Sequence, residues 1–559
     1  MKLIFDLKKR TILVLLLIVF LAALLRFYQL GSLAPSLTWD EVAWGYNAYS
    51  LGLDGKDEFG RLLPHDYLES FGDFKPPVYA YLDILPVKIW GLNEFAARFP
   101  SALFGTLTVL ITYFLVKALF SIRGVKKNDS VNYLALISTF ILAISPWHIM
   151  LSRAAFEANV ATFFICTGVW LFLESVKSRP WLIILSAIFF VLPIYTFNST
   201  RIVAPILITV LVIAFRKRIF AMKKMTIIAG IVGLALVLPT VPFLFSPQAR
   251  LRYQEVNIFS DVKVVETVNQ EVANDQNAWW SKIIHNRRFA YSIEYFKHYF
   301  DNLSPLFLFI NGDGNPKFSI QSVGQMYIFE LPFFIAGILF LFRKKEGNWW
   351  LVPVWLLIGI IPAAAARETP HALRIESTLP MFQILTAYGI LNLFLLFKSY
   401  KIINIKFNIL NFFAVCYVLF ALTNVIYFIE DYLVHYPKDY SREWQYGYKD
   451  AVLYINQVGD NYNKVYLTNE LGRAYVYALF YKKYDPVLFR KNADIKRDVF
   501  GFVTVNSFDK YYFSKDIINK LKEKDILYIE TLGNIPKNAK ILKEFKALDG
   551  GTVLVAYTI

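Results

Sequence analysis

The sequence predicts an α-helical polytopic membrane protein of about eleven transmembrane helices with a small C-terminal α/β domain. Hydrophobic residues make up 56% of the 559 residues and charged residues only 18%, which is more apolar surface than a soluble domain buries. Apolar runs of about 20 residues, the length that a helix needs to cross the hydrocarbon, recur along the chain. After position 430 the charges become interspersed and the apolar stretches short, which indicates a soluble domain.

Each predicted span is a nearly uncharged run whose backbone amides would be satisfied inside a helix. The runs lie at 11–30, 100–120, 131–150, 158–176, 181–195, 202–215, 225–245, 326–342, 349–366, 378–397 and 409–429. The first run follows Lys8, Lys9 and Arg10 as in a signal peptide, but it extends to Leu30 without a clear small-residue cleavage site. We therefore expect a retained first span.

The net charge of +16 does not indicate nucleic-acid binding, because the basic residues cluster in short links between the apolar runs. This distribution indicates the orientation of the chain in the membrane. These links lie at 8–10, 123–127, 177–179, 216–224, 343–345 and 398–401. By the positive-inside rule they face the cytoplasm. We therefore expect a multi-pass plasma-membrane protein with a cytoplasmic N-terminus, an extracytoplasmic C-terminal domain and exported loops at 31–99, 152–157, 196–201, 246–325 and 367–377.

Two domains follow from this organisation: a transmembrane domain over 1–430, with a first exported loop at 31–99 and a second large loop at 246–325, and an extracytoplasmic α/β domain over 431–559. In the tail the pattern predicts helices at 443–456 and 470–482, strands at 464–468, 500–505 and 526–529, and a hairpin of 540–547 with 552–558. Cys166 and Cys416 both lie in apolar runs, so no disulfide or thiolate metal site is expected. The absence of Walker and Rossmann motifs disfavours nucleotide use.

Two adjacent carboxylates, Asp40 and Glu41, follow the first span between two tryptophans. One interpretation is helix initiation, with Thr38 as the N-cap and both carboxylates near the positive end of a helix. The other interpretation is a carboxylate at the membrane surface that acts as a general base. The residues alone do not distinguish between these two interpretations.

Further along the loop, Asp73 and Lys75 precede Pro76, Pro77 and the apolar segment 78–90. Pro77 suits the first turn of a helix, and Pro76 biases Lys75 away from helical geometry. The segment is short for a span, so we expect an interfacial helix with Lys75 at headgroup depth. Phosphate binding and ordinary snorkelling both account for such a lysine.

Arginines at the ends of exported loops indicate a specific interaction, because such loops normally avoid positive charge. A guanidinium matches phosphate oxygens with a planar fork, and a histidine donates one further hydrogen bond. Pairing with Glu157, Glu368 or Glu376 is the alternative. The candidates are Arg98, Arg153, Arg201, Arg367, His371 and Arg374.

Four stretches together resemble the protein mannosyltransferase and aminoarabinose transferase family, in the C superfamily of glycosyltransferases. They are Asp40–Glu41 after the first span, Phe74–Pro77 before the short helix, ARFPSALFG at 97–105, and PHALR at 370–374 followed by Leu379–Pro380. The resemblance implies the helical fold of that superfamily. It also implies transfer of a sugar, with inversion, from a polyprenyl-phosphate donor to an extracytoplasmic lipid, glycan or protein acceptor.

The resemblance implies a role for several residues. Asp40 is the catalytic acidic residue and general base, with Glu41 as its neighbour in the motif. Lys75 lies near the donor phosphate, and Asp73 and Glu157 are further acidic residues of the site. Five side chains complete our expected phosphate grip: Arg98, Arg201, Arg367, His371 and Arg374.

A transporter or lipid flippase is the alternative function, and a non-catalytic scaffold is another. Transporters place ionisable groups near the bilayer midplane, whereas these spans are nearly charge-free. No cofactor is required by the sequence. The exported carboxylates are compatible with a divalent metal ion, although nothing demands one.

Overall fold

The computed structural model describes residues 2–121, 128–399, 409–497, 503–518, 520 and 525–559. The basic link predicted at 123–127, Lys401 and the first residues of the strand predicted at 500–505 lie outside the described residues. The helices up to position 430 are α1 (Lys2–Phe27), α2 (Trp39–Asp54), α3 (Val78–Trp90), α4 (Glu94–Phe120), α5 (Asn128–Ile144), α6 (Pro146–Arg153), α7 (Glu157–Lys177), α8 (Leu182–Val191), α9 (Thr200–Ala214), α10 (Arg216–Ala221), α11 (Lys223–Val237), α12 (Val241–Leu244), α13 (Pro247–Val256), α14 (Val262–Asn274), α15 (Ser281–Ile284), α16 (Arg287–Asp301), α17 (Leu331–Lys344), α18 (Leu351–Ala364), α19 (Met381–Ser399) and α20 (Ile409–Glu430).

Every one of the predicted apolar runs coincides with helix. Within the described ranges, six helices are long and apolar enough to cross a membrane, and a seventh span results if α5 and α6, which meet at a 55° bend, are taken together. Three further apolar helical segments are shorter. One of them, α18, has 14 residues, and such a helix spans only about 21 Å at 1.5 Å per residue. The chain is a multi-pass membrane protein.

The described chain divides into two compact units. The first unit consists of residues 1–22, 106–150 and 161–426. Its helices α17 and α19 approach at a pair of glycines, because a Cβ on Gly337 would overlap the carbonyl of Leu385, and one on Gly389 would overlap that of Phe333. Small residues permit such backbone contact between membrane helices.

The second unit consists of residues 23–105, 151–160 and 427–559, so the first loop folds with the tail. A single cluster of buried hydrophobic side chains includes Tyr46 and Phe71 from the loop and Tyr475, Phe480 and Phe508 from the tail. Two strands of the loop, β1 (Leu68–Ser70) and β2 (Asp73–Lys75), form an antiparallel hairpin.

The tail contains a seven-stranded mixed sheet. Its strands are β3 (Lys464–Leu467), β4 (Asp494–Arg497), β5 (Val503–Phe508), β6 (Tyr511–Tyr512), β7 (Ile526–Glu530), β8 (Lys540–Lys546) and β9 (Thr552–Thr558), in the spatial order β4-β5-β6-β3-β7-β9-β8. Strand β3 runs parallel to β6 and β7, and the remaining pairs are antiparallel. The helices are α21 (Tyr436–Asp439), α22 (Tyr448–Val458), α23 (Ala474–Lys482), α24 (Pro486–Asn492) and α25 (Lys515–Ile518).

Candidate functional site

The first-loop carboxylates lie at the start of α2. Thr38 is the N-cap, and its Oγ1 accepts a hydrogen bond of 3.3 Å from the Glu41 N–H. Glu41 Oε2 in turn accepts one of 2.9 Å from the Thr38 N–H. This reciprocal capping box satisfies two backbone donors that a helix start leaves open. The helix-initiation interpretation is therefore confirmed for Glu41.

Glu41 also forms a fully buried ion pair with Arg98. Arg98 Nε donates to Glu41 Oε1 at 2.8 Å, and both side chains are 0% exposed. The remaining Arg98 donors bond Glu41 Oε2 and the carbonyl oxygens of Leu30, Leu33, Ala34 and Ser36. A guanidinium has five N–H donors, and here all of them have acceptors. Every Arg98 donor thus has an acceptor inside the protein, and the Glu41 carboxylate is enclosed by the fold.

Lys75 is placed by the β1–β2 hairpin. The turn residues Phe71 and Gly72 have φ values of +44° and +81°, the geometry of a tight hairpin turn, and Leu68 pairs with Lys75 in register. Lys75 Nζ donates to Asp40 Oδ1. The ammonium also lies 4.5 Å from the Phe71 ring centroid and 5.1 Å from that of Trp44. The structure thus brings together the two residues on which the expected chemistry depends.

The Lys75 and Asp40 side chains differ in their exposed fraction. The Lys75 side chain is 8% exposed and the Asp40 side chain 44% exposed. The ammonium is therefore held between the aromatic rings, where its charge is poorly hydrated and favours an anionic partner. The carboxylate remains open to a substrate.

Two more predicted acidic residues belong to this neighbourhood. Glu157 is the first residue of α7, and it interacts electrostatically with Lys75, Asp40 and Asp73. Asp73 is the first residue of β2 and pairs in register with Ser70. Glu157 and Asp73 therefore belong to the same charged neighbourhood as Asp40 and Lys75.

Arg153, a further cation singled out in the sequence, bonds the end of α1. Its guanidinium donates to the carbonyl oxygens of Leu25 at 2.8 Å and Tyr28 at 2.7 Å, and to the Tyr432 hydroxyl at 3.1 Å. A cation at a helix C-terminus satisfies carbonyl groups that lack helical partners. Its role is therefore to terminate a helix.

The other predicted cations belong to the first unit. Arg367 donates to the carbonyl oxygens of Gln254 at 3.3 Å and Asn257 at 3.2 Å, so it secures the second loop. Arg201 donates to the Ile194 carbonyl at 3.2 Å and lies 5.0 Å from the Phe243 ring centroid.

His371 and Arg374 form a small cluster with two acidic residues. Arg374 Nη2 lies 3.4 Å from Glu368 Oε2, and His371 Nδ1 lies 3.9 Å from Asp313 Oδ2. Asp313 is buried and accepts the Ala372 N–H at 2.7 Å, and burial raises the pKa of its carboxyl to about 6. Burial, reinforced by Arg374, lowers the pKa of His371 well below its usual value, which favours the neutral imidazole. No local pattern in the sequence indicated a role for Asp313.

A buried network that sequence reasoning also missed joins the tail to the hairpin. The Tyr475 hydroxyl accepts the Phe71 N–H at 2.9 Å and donates to Glu58 Oε1 at 2.9 Å. Burial raises the pKa of Glu58 to about 8. Within the described part of the chain, no group of three or more His, Cys, Asp or Glu side chains is arranged to hold a metal ion.

Fold and site together define a class: a multi-pass helical membrane protein that presents an acid–lysine pair on the loop after its first apolar helix. Solved structures agree with the fold. ArnT from Cupriavidus metallidurans in the apo state is similar over 99% of this chain and 98% of its own, with a TM-score of 0.51 and 11% identity. ArnT bound to undecaprenyl phosphate gives 0.52 and 13% over 97% of each chain.

Residues 74–243 match the family model described as dolichyl-phosphate-mannose-protein mannosyltransferase. Over these residues, the match confirms the resemblance found in the sequence. The putative mannosyltransferase YkcB of Bacillus subtilis is 25% identical over 117 residues, which are 21% of this chain and 15% of YkcB. An uncharacterized protein of Aquifex aeolicus is 36% identical over 100 residues, 18% of each protein. The chain thus spans less than a fifth of either curated relative in these matches.

Proposed function

We propose that the protein is a membrane glycosyltransferase that moves a hexosyl or pentosyl group from a polyprenyl-phosphate donor to an acceptor hydroxyl on the extracytoplasmic side. The observation that carries the proposal is the contact between Lys75 Nζ and Asp40 Oδ1. The match of residues 74–243 to the mannosyltransferase family model supports it, as does the fold shared with ArnT, whose structure was solved bound to undecaprenyl phosphate. We extend the proposal to the predicted topology in the plasma membrane, with about eleven spans.

Asp40 is the proposed general base. It takes the proton of the acceptor hydroxyl as that oxygen forms a bond to the anomeric carbon of the donor sugar. The bond between that carbon and the phosphate oxygen breaks, and the electron pair leaves with the polyprenyl phosphate. Attack from the face opposite the leaving group inverts the anomeric centre.

Lys75 is the proposed phosphate contact. Its ammonium neutralises Asp40 in the free protein, and a donor phosphate competes for the same charge. When the phosphate takes over Lys75, Asp40 loses its cationic partner and becomes a stronger proton acceptor. The ammonium meanwhile stabilises the negative charge that develops on the departing phosphate. Donor binding would thus activate the base.

The other residues predicted from the sequence have supporting roles in this proposal. Asp73 and Glu157 tune the charge around Lys75, and Glu41 with Arg98 holds the start of α2. Arg201, His371 and Arg374 of the first unit stay as candidates for further donor contacts. Arg367 is the weakest candidate, because its guanidinium already bonds backbone carbonyls.

The decisive experiment replaces Asp40 by Asn in membranes supplied with polyprenyl-phosphate mannose. We expect turnover to fall by about 100-fold or more, the range for a lost general base, at unchanged protein abundance. Asp66→Asn is the matched control, because Asp66 is an ion-paired carboxylate of the same loop with no place in the mechanism. Undiminished turnover of Asp40→Asn would eliminate this base.

A second experiment tests the phosphate contact. Lys75→Ala should lower turnover by about 100-fold, the typical effect of removing a group that stabilises developing anionic charge, and raise the KM for the donor. Lys88→Ala, which removes an exposed lysine from α3, is the control. A donor KM and kcat equal to those of the wild type would exclude Lys75 from the phosphate site.

A further inference from the structure

The tail of the second unit contains a cavity beside the hairpin that carries Lys75. Its volume is about 280 Å³, and its lining includes Gly472, Arg473, Tyr475 and Thr504. These residues come from the start of α23 and from β5, so the cavity is built by the α/β part of the chain. None of them is assigned a role in the reaction proposed above.

The cavity shares residues with the Asp40–Lys75 pair. The Arg473 guanidinium carbon lies 5.3 Å from the Phe71 ring centroid, and Lys75 Nζ lies 4.5 Å from the same centroid. The two cations are therefore separated by no more than the sum of these distances. On the other side, a Cβ on Gly472 would overlap the ring of Trp39, the residue before Asp40. The cavity lining and the Asp40–Lys75 pair therefore adjoin the same two aromatic residues, Phe71 and Trp39.

The chemistry of the lining favours an anion. Arg473 is exposed and is the charged residue among the described residues that line the cavity, none of which is a carboxylate. The Asn469 amide is already used, because it donates to the Phe513 carbonyl at 2.8 Å and accepts the Ala474 N–H at 2.9 Å. A guanidinium binds phosphate or carboxylate groups through paired hydrogen bonds.

We propose that this cavity is an acceptor subsite, in which Arg473 binds a phosphate or carboxylate group of the acceptor and directs its hydroxyl toward Asp40. The inference rests on the proposed glycosyl transfer and adds to it the class of acceptor, an anionic lipid or glycan. It also gives the tail a function: the tail selects the acceptor while the first loop carries out the transfer.

The test uses the full-length protein in vesicles, polyprenyl-phosphate mannose as donor and membranes of a deletion strain as acceptor. Arg473→Gln should require about tenfold more acceptor membrane for half-maximal rate, as expected for a lost charge-assisted bond of about 1.4 kcal/mol, at an unchanged donor KM. Thr504→Trp, which fills the cavity and keeps Arg473, should act in the same direction. Arg442→Gln is the control, because Arg442 is an exposed tail arginine paired with Asp549.

Inorganic phosphate and acetate distinguish the two kinds of anion. The anion that inhibits the wild type in competition with acceptor membranes identifies the group, and its inhibition should weaken in Arg473→Gln. An altered donor KM would place the effect on Lys75 through Phe71 and overturn the subsite, and so would the absence of competition by either anion. If the wild type transfers no sugar, the proposed function fails and the subsite with it. If the wild type transfers sugar and Arg473→Gln matches it, the subsite alone fails.

Discussion

Replacing Glu41 by Gln distinguishes a structural carboxylate from the proposed catalytic one, Asp40. The Glu41 carboxylate accepts four hydrogen bonds: Oε1 from Arg98 Nε at 2.8 Å and the Ala155 N–H at 3.0 Å, and Oε2 from the Thr38 N–H at 2.9 Å and Arg98 Nη2 at 3.4 Å. A glutamine keeps one acceptor oxygen and turns an NH2 group toward donors. Two of the four bonds are lost, and Arg98 keeps a buried charge without its counter-ion.

The magnitude follows from these losses. Hydrogen bonds to charged groups contribute about 1.5–3 kcal/mol each, so two of them amount to about 3–6 kcal/mol. Breaking a buried ion pair by removing one partner costs about 3–5 kcal/mol, which agrees. At about 2–4 °C per kcal/mol for a unit of this size, the Tm of Glu41→Gln should fall by at least about 6 °C. Thermal unfolding of the detergent-purified protein, followed by tryptophan fluorescence, measures this shift.

Asp40→Asn is the companion variant. Its carboxylate is 44% exposed, although its partner Lys75 is only 8% exposed, so its removal costs more than the loss of an exposed pair and less than the loss of a fully buried one. We expect a smaller loss of Tm than in Glu41→Gln but a larger loss of turnover, whereas Glu41→Gln should lose turnover through unfolding and through the altered start of α2. A Glu41→Gln protein with the wild-type Tm and no turnover would refute this reasoning, because Glu41 would then act on the substrate.

Three further predictions concern the second unit. Burial raises the pKa of Glu58 from 4.5 to about 8, so the folded state retains a proton that the unfolded state releases. The free energy of unfolding contributed by this group therefore falls as pH rises from about 4.5 to about 8. Glu58→Gln should reduce this dependence of stability on pH, which thermal unfolding measured across the range would show. Gly472 has a φ of +112°, and a Cβ would overlap the Trp39 ring; Gly472→Ala should therefore destabilise by about 1–3 kcal/mol, and an unchanged Tm would contradict the packing. Arg153→Met removes the bonds to the end of α1 and should lower the Tm while the donor KM stays at the wild-type value.

Patterns local in sequence predicted the fold well. The apolar runs located the helices, and the segment predicted at 78–90 is α3 at its full length. In the tail, the strand predicted at 464–468 is β3, and the predicted hairpin is β8 and β9. The short strands β4 and β6 were not predicted. A two-residue strand such as β6 carries no alternation of its own, and its pairing with β3 and β5 defines it.

Contacts distant in sequence were beyond prediction. Asp313 contacts the loop at 371–374 only in the folded first unit. Tyr475 bonds Phe71 and Glu58, from which it is separated by some 400 residues of sequence. The arginines show a different limit. The sequence analysis offered phosphate binding or ion pairing for these cations, whereas Arg98, Arg153 and Arg367 all donate to backbone carbonyls. A guanidinium fork fits carbonyl oxygens and phosphate oxygens alike, so sequence alone cannot choose between them.

The adjacency of Asp40 and Glu41 acquires a physical meaning from α2. Successive residues of a helix project about 100° apart, so when the capping box turns Glu41 inward to Arg98, Asp40 is directed to a different side, where it meets Lys75. Burial of the Glu41 carboxylate fixes the rotation of the first turn of α2, and this rotation determines the direction in which the Asp40 side chain projects. Moving the acid by one position in either direction would therefore rotate it away from Lys75. The pair works as one positioning carboxylate and one exposed carboxylate, and neither residue can take the place of the other.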